Sequence, residues 1–133
     1  DFSYQYGFAE IAENNEVSAY VLVSSAGANS KSSVFYSRMK GELDDAVSKL
    51  NFRNITILRP SILNGERNEK RIAEKISIKI GSFLTKYIMK KYRPIKDNIV
   101  AQAMINASLH QQDKLKIFEL DQIFELAKQY PIK

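Results

Sequence analysis

The sequence predicts an α/β domain on a parallel sheet, from two short apolar runs, AYVLVS at 19–24 and NITILR at 54–59, with one amphipathic helix between them. Both runs are continuous and rich in β-branched residues, as expected of strands covered on both faces. A strand, a helix and a strand in that order make a parallel crossover, normally right-handed. Ligands of such sheets gather beyond the carboxyl ends of the strands. Here those ends are Ser24-Ser25 and Arg59-Pro60-Ser61.

Taken in order, Phe8, Ile11 and Ala12 repeat at helical spacing and predict a helix over 4–14 that stops at a turn in Asn14-Asn15. The first strand follows, and SSAGANSKSS supplies a loop. Residues 35–50 then read as a helix with Met39, Leu43, Val47 and Leu50 inside and Glu42, Asp44 and Asp45 outside. Gly41 weakens that helix modestly. After the second strand, Ile72, Ile76, Ile80, Phe83, Leu84, Tyr87 and Ile88 trace one face of a long basic helix ended by Pro94. A helix over 98–109, a third strand over 115–120 and a last helix over 121–129 capped by Asp121 complete the pattern. Three strands are few, and the run 19–24 is left with an unpaired apolar edge that something should cover.

The length of 133 residues suits one domain, and 44% hydrophobic with 26% charged residues is ordinary globular composition. Without cysteine and with only His110, disulfides, thiolate sites and histidine-built zinc centres are excluded, and no metal site is expected. No run approaches the roughly 20 apolar residues of a membrane span, and DFSYQYGFAE is no signal sequence. The chain reads as a piece of a protein that begins upstream, and a reducing cytoplasm is compatible with its composition. The net charge of +5 is uneven: residues 67–96 hold ten Lys/Arg against Glu69 and Glu74, a local +8. That block suits a solvated face, an anionic substrate or, last in rank, nucleic acid or an acidic membrane surface.

Tyr36 and Lys40 carry the chemistry of interest. Four residues apart, they share a helix face, where a cation favours phenolate and makes the tyrosine a usable proton donor and acceptor. The same Y-x-x-x-K spacing recurs at Tyr87/Lys91 and Tyr92/Lys96. The former has no polar strand end ahead of it, and the latter is broken by Pro94. Only Tyr36/Lys40 follows a serine-bearing strand end, with Ser25 placed to face the start of the helix. Arg59 is expected to pair with a carboxylate near the sheet end. His110 sits near a helix end, where a cation suits the dipole.

The series VSSAGA, YSRMK-GE, ILRPSILNGER, IVAQAM and a last strand-helix unit resembles the C-terminal half of an atypical short-chain dehydrogenase/reductase. It is most similar to the NAD(P)H-binding branch that includes Tat-interacting-protein-like oxidoreductases, and more distantly to NAD-dependent epimerase/dehydratases. The resemblance implies the C-terminal part of a doubly wound parallel-sheet Rossmann fold whose glycine-rich N-terminal half is absent from this chain. It divides the chain into residues 1–66 of the dinucleotide-binding domain, a basic helical substrate-region segment at 67–98, and 99–133 returning to the sheet.

It further implies an NAD(P)-dependent oxidoreductase, or an epimerase-like enzyme, acting on a carbonyl or hydroxyl substrate and inactive as this isolated fragment. Tyr36 is then the general acid/base, Lys40 holds the nicotinamide ribose hydroxyls, and Ser25 orients the substrate oxygen. Cofactor contacts fall on Tyr36, Lys40, Pro60, Ser61 and Ile62, with NADP slightly favoured over NAD. The alternative is a non-catalytic NAD(P)H-binding regulator or scaffold. The expected partners are a small, possibly anionic substrate and the upstream half of the same protein, in the cytoplasm, with oligomers allowed. The departure is the missing pyrophosphate cradle: Gly27, Gly41, Gly65 and Gly81 are each isolated.

Overall fold

A computed structural model describes residues 2–61 and 82–130 of the chain. The elements are α1 (Phe2–Asn14), β1 (Ala19–Val23), α2 (Phe35–Val47), β2 (Asn54–Arg59), α3 (Ser82–Lys91), α4 (Asp97–His110), β3 (Leu115–Glu119) and α5 (Gln122–Gln129). The expected helix face at Ile72, Ile76 and Ile80, and the cofactor candidate Ile62, lie outside the described residues.

The α/β expectation holds. The three strands form one parallel sheet in the order β1-β2-β3, with Leu22 opposite Ile57 and Ile57 opposite Ile117. This is a partial Rossmann-like α/β fold. The period of two along β2 divides the core. Ile55 and Ile57 join Ala9, Leu22, Leu43, Val47, Leu50 and Phe52 on the face covered by α1 and α2. Leu58 joins Ile95, Val100, Ala103, Ala107, Ile123 and Leu126 on the face covered by α4 and α5. Thr56, which also faces that second side, is buried but satisfied, accepting a hydrogen bond from Gln111 Nε2 at 3.3 Å.

Among the described strands, the central one alone has a neighbour on each edge. β1 shows only Leu22 fully buried, because one long edge of the strand has no neighbour among the described strands. That edge floors an open groove of about 400 Å³, walled by Phe8 and Ala12 of α1 and by Met104, Ile105 and Ser108 of α4. The unpaired apolar edge read from the sequence is therefore present. The helix expected over 4–14 is α1; on it Phe8 is 67% exposed and Ile11 is also exposed, whereas Ala9 is buried in the cluster that Phe2, Tyr6 and Ala12 pack against. A close approach of α1 to α2 suits the small residue.

Three local readings are also corrected. Asp121 does not cap α5 through its side chain; it is itself helical in backbone, at φ −67° and ψ −23°. Tyr87 is largely exposed rather than part of a packed face. The helix of α2 ends at Val47, three residues short of Leu50, with Ser48 Oγ donating to the Asp44 carbonyl at 2.7 Å. Asn106, buried in α4, fastens α5 by donating to the carbonyls of Leu126 and Ala127 at 2.8 and 3.2 Å. His110, at the end of α4, stacks on Tyr130.

Ile57 is fully buried at the centre of the sheet. Truncation to alanine there removes a side chain from a close-packed core, so Ile57→Ala is expected to lower unfolding free energy by about 2–5 kcal/mol, read by urea denaturation.

Candidate functional site

The carboxyl ends of the three strands meet on one rim, and their backbones stay tied beyond the sheet. Ser24 N–H donates to the Leu58 carbonyl at 2.7 Å, Ala26 N–H to the Pro60 carbonyl at 2.9 Å, and Leu120 N–H to the Arg59 carbonyl at 3.0 Å. The chain then turns at Gly27, whose φ of +77° suits a residue without a side chain. The loop crosses α2 at close range, with Asn29 N–H donating to the Ser37 carbonyl at 2.9 Å. A Cβ on Gly41 would stand 2.1 Å from the Ser30 nitrogen, so this glycine, read from sequence as a weakness in the helix, is what lets the loop lie there. The loop delivers the chain into α2, where Arg38 Nη1 donates to the Ser32 carbonyl at 2.9 Å and fastens the entry.

Tyr36, Lys40 and Asp44 follow at intervals of four along α2 and therefore form one stripe. Tyr36 is 53% exposed near the start of the helix. Lys40 is only 8% exposed, and among the described residues no hydrogen bond or ion pair engages its ammonium. Ser25 stands just past β1, its hydroxyl turned to the Ala26 carbonyl at 3.3 Å. No hydrogen bond joins Ser25, Tyr36 and Lys40 to one another; the fold brings them to the same rim without linking them. Pro60 and Ser61 follow β2 on that rim, and the Ser61 hydroxyl donates to the Arg93 carbonyl at 2.7 Å.

Asp44 was expected outside and is instead 2% exposed. Its Oδ2 accepts from Arg59 Nε at 2.9 Å, and Arg59 Nη1 donates to Glu119 Oε1 at 2.8 Å. The expected carboxylate partner of Arg59 is thus a pair of carboxylates, one from α2 and one from the end of β3. The spacing of four from Lys40 was the available signal; the charge of Asp44 in a helix concealed it. Burial raises the Asp44 pKa above its ordinary value, against the opposing pull of Ser24 and of Arg59. Ser24 Oγ and Asp44 Oδ1 are both buried without a well-formed hydrogen bond, so the serine acts on the carboxylate by proximity. For Arg59, burial works against the charge, and Glu119 and Asp44 outweigh it to leave the pKa raised.

Among the described residues, no group of three or more His, Cys, Asp or Glu side chains is placed to hold a metal ion, and no helix is long and apolar enough to cross a membrane.

No protein-family model matches the chain. It is similar to fungal proteins named Fmp52, mitochondrial. The Aspergillus clavatus protein is 38% identical over 107 residues, covering 76% of this chain and 44% of that protein. The Candida albicans protein is 37% identical over 137 residues, covering 96% and 58%. A protein of Scheffersomyces stipitis, named FMP52-1, mitochondrial, is 33% identical over 135 residues, covering 96% and 60%. The chain spans about half the length of the curated relatives it matches.

These relatives correct three expectations. They carry a family name other than short-chain dehydrogenase/reductase, and the reductase resemblance is withdrawn. Their names describe no oxidoreduction, so the oxidoreductase function drawn from that resemblance is withdrawn with it. The cytoplasmic location gives way as well, since the names place these proteins in mitochondria.

Asp44 holds its proton more tightly folded than unfolded. Its contribution to stability is therefore fully present in acid and is lost as pH rises from the ordinary value of 3.8 through the raised folded value. Asp44→Asn abolishes that titration. Urea unfolding of both proteins between about pH 4 and 7 should show wild type losing stability relative to the variant as pH rises; parallel curves would contradict the assignment.

Proposed function

We propose that this chain forms the sugar-binding side of a nicotinamide dinucleotide site, NADP or NAD, within a longer mitochondrial protein similar to Fmp52. The observation that carries the reading is Lys40: a lysine 92% covered by protein, at the rim where parallel sheets receive ligands, with no protein partner for its charge among the described residues. Its stem is covered while Nζ is not among the buried atoms left without a hydrogen bond, so the ammonium is open at the rim, and the hydroxyls of a ribose are matched acceptors for it. Tyr36, one turn earlier on the same stripe, adds a half-exposed phenol beside the same rim. Pro60 and Ser61 extend the rim from β2.

The chain supplies no glycine-rich turn to cradle a pyrophosphate. In this reading the cradle comes from further sequence of the kind the longer relatives contain, which also adds a parallel strand to the free edge of β1 and fills the groove between α1 and α4. The mitochondrial location follows the names of the fungal relatives. Oxidoreduction is no part of the reading, which concerns binding.

Lys40→Met keeps the covered stem and removes the charge. In the intact protein it is expected to weaken NADPH or NADH binding by about 10- to 100-fold, the worth of hydrogen bonds from a charged donor, measured by fluorescence titration. An affinity equal to wild type for both nucleotides would refute the reading.

A further inference from the structure

Arg93 lies between α3 and α4 and is held from two sides. Its carbonyl accepts from the Ser61 hydroxyl at 2.7 Å, which ties it to the segment leaving β2. Its guanidinium stacks over the Phe124 ring, with Cζ 3.8 Å from the ring centroid, which ties it to the first turn of α5. Ile95, two residues on, is almost completely buried and anchors the stretch in the core under α4 and α5.

A surface arginine of ordinary structural role spends its fork on a carboxylate or on carbonyl oxygens. Arg59 does so, holding Asp44 and Glu119 together. Arg93 does not: its Nε is buried without a hydrogen-bond partner, and no ion pair among the described residues includes it. Stacking fixes the plane of the guanidinium; with Nε covered, the two terminal nitrogens are the pair left to receive a planar or tetrahedral oxyanion in a bidentate way. The glutamate at the end of β3 does not compete, because Glu119 is already engaged by Arg59.

We infer that Arg93, oriented by Phe124 and by Ser61, is an oxyanion-binding residue that receives a phosphate or carboxylate group of the ligand at the strand ends. The site is distinct in residues from the one formed around Lys40, and its place beside Ser61 sets it on the same rim. The inference rests on the reading of that rim as a ligand site, and deepens it by naming the charge class of what binds. Lys40 meets hydroxyls, whereas Arg93 meets a formal negative charge. Phosphate and carboxylate share the geometry that a fork recognises, so the chemistry is one and the two sources are separated by experiment.

The test titrates the full chain with inorganic phosphate and, separately, with acetate, by isothermal calorimetry at low salt, comparing wild type with Arg93→Gln and Arg93→Lys. Binding of one or both anions is expected in wild type, with the preferred anion identifying the source. Arg93→Gln should weaken it by about 10-fold or more, and Arg93→Lys by several-fold, since a single ammonium does not reproduce the planar fork. The Lys40 reading is judged separately, by NADPH and NADH titration of the intact protein, so that either reading fails without the other. Should Arg93→Gln not fold by circular dichroism, the lysine variant, which keeps charge and stem, carries the decision. Wild type binding neither anion, or either folded Arg93 variant binding as tightly as wild type, overturns the inference.

Discussion

Arg59 holds the molecule's useful edge together. One guanidinium at the end of β2 reaches Asp44 on α2 and Glu119 at the end of β3, so a helix and two strands meet at a single charged group. The backbone bonds that continue past the sheet, from Ala26 to Pro60 and from Leu120 to Arg59, lie immediately around it. Lys40 and Tyr36 stand on the same helical stripe as Asp44, so fixing Asp44 also fixes where their stripe lies relative to the rim. The raised pKa of Asp44 says that burial outweighs the attraction of Arg59. Such a bridge adds little net stability, and its value lies in specifying which groups sit together.

The three arginine and lysine side chains on or near the rim show how differently one charge type is used. Arg59 is spent entirely on protein carboxylates. Lys40 is covered and unpaired among the described residues, and Arg93 is stacked on an aromatic ring with its Nε unsatisfied. A ligand that offers hydroxyls to one and negative charge to the other would complete both. The open edge of β1 lies on the opposite flank: among the described strands β1 has β2 as its one neighbour, and a groove walled by α1 and α4 runs beside it.

The elements that the sequence made legible are those where one pattern dominates. AYVLVS and NITILR are continuous apolar runs, and their strand identity, parallel pairing and the free edge of the first all follow from that. The demand of Arg59 for a carboxylate was legible too, because a charge at a buried strand end needs a partner. What escaped was side-chain placement that depends on neighbours far along the chain. Asp44 counted as a solvent-facing acid because nothing local says that Arg59, fifteen residues later, will meet it. The helix over 4–14 was legible from the spacing of Phe8, Ile11 and Ala12, but not that Ala9 would be its buried residue. Gly41 looked like a flaw until the loop at Asn29-Ser30 was seen to occupy the space of its missing side chain. Arg93 was one charge among ten in a basic stretch, and only Phe124, thirty-one residues away, distinguishes it.

The claim that Arg59 and Asp44 set the geometry of the rim is tested most directly by hydrogen exchange on a double variant, Asp44→Leu with Arg59→Met, which removes the bridge without leaving either charge orphaned. The amides of Ala26 and Leu120, whose acceptors are the carbonyls of Pro60 and Arg59, report the strand ends. The account predicts that these two amides lose at least about 10-fold in protection while the amides of Ile57 and Leu58 in the central strand keep theirs, since local opening is set by local contacts. Unchanged protection at Ala26 and Leu120 in a folded double variant would contradict it.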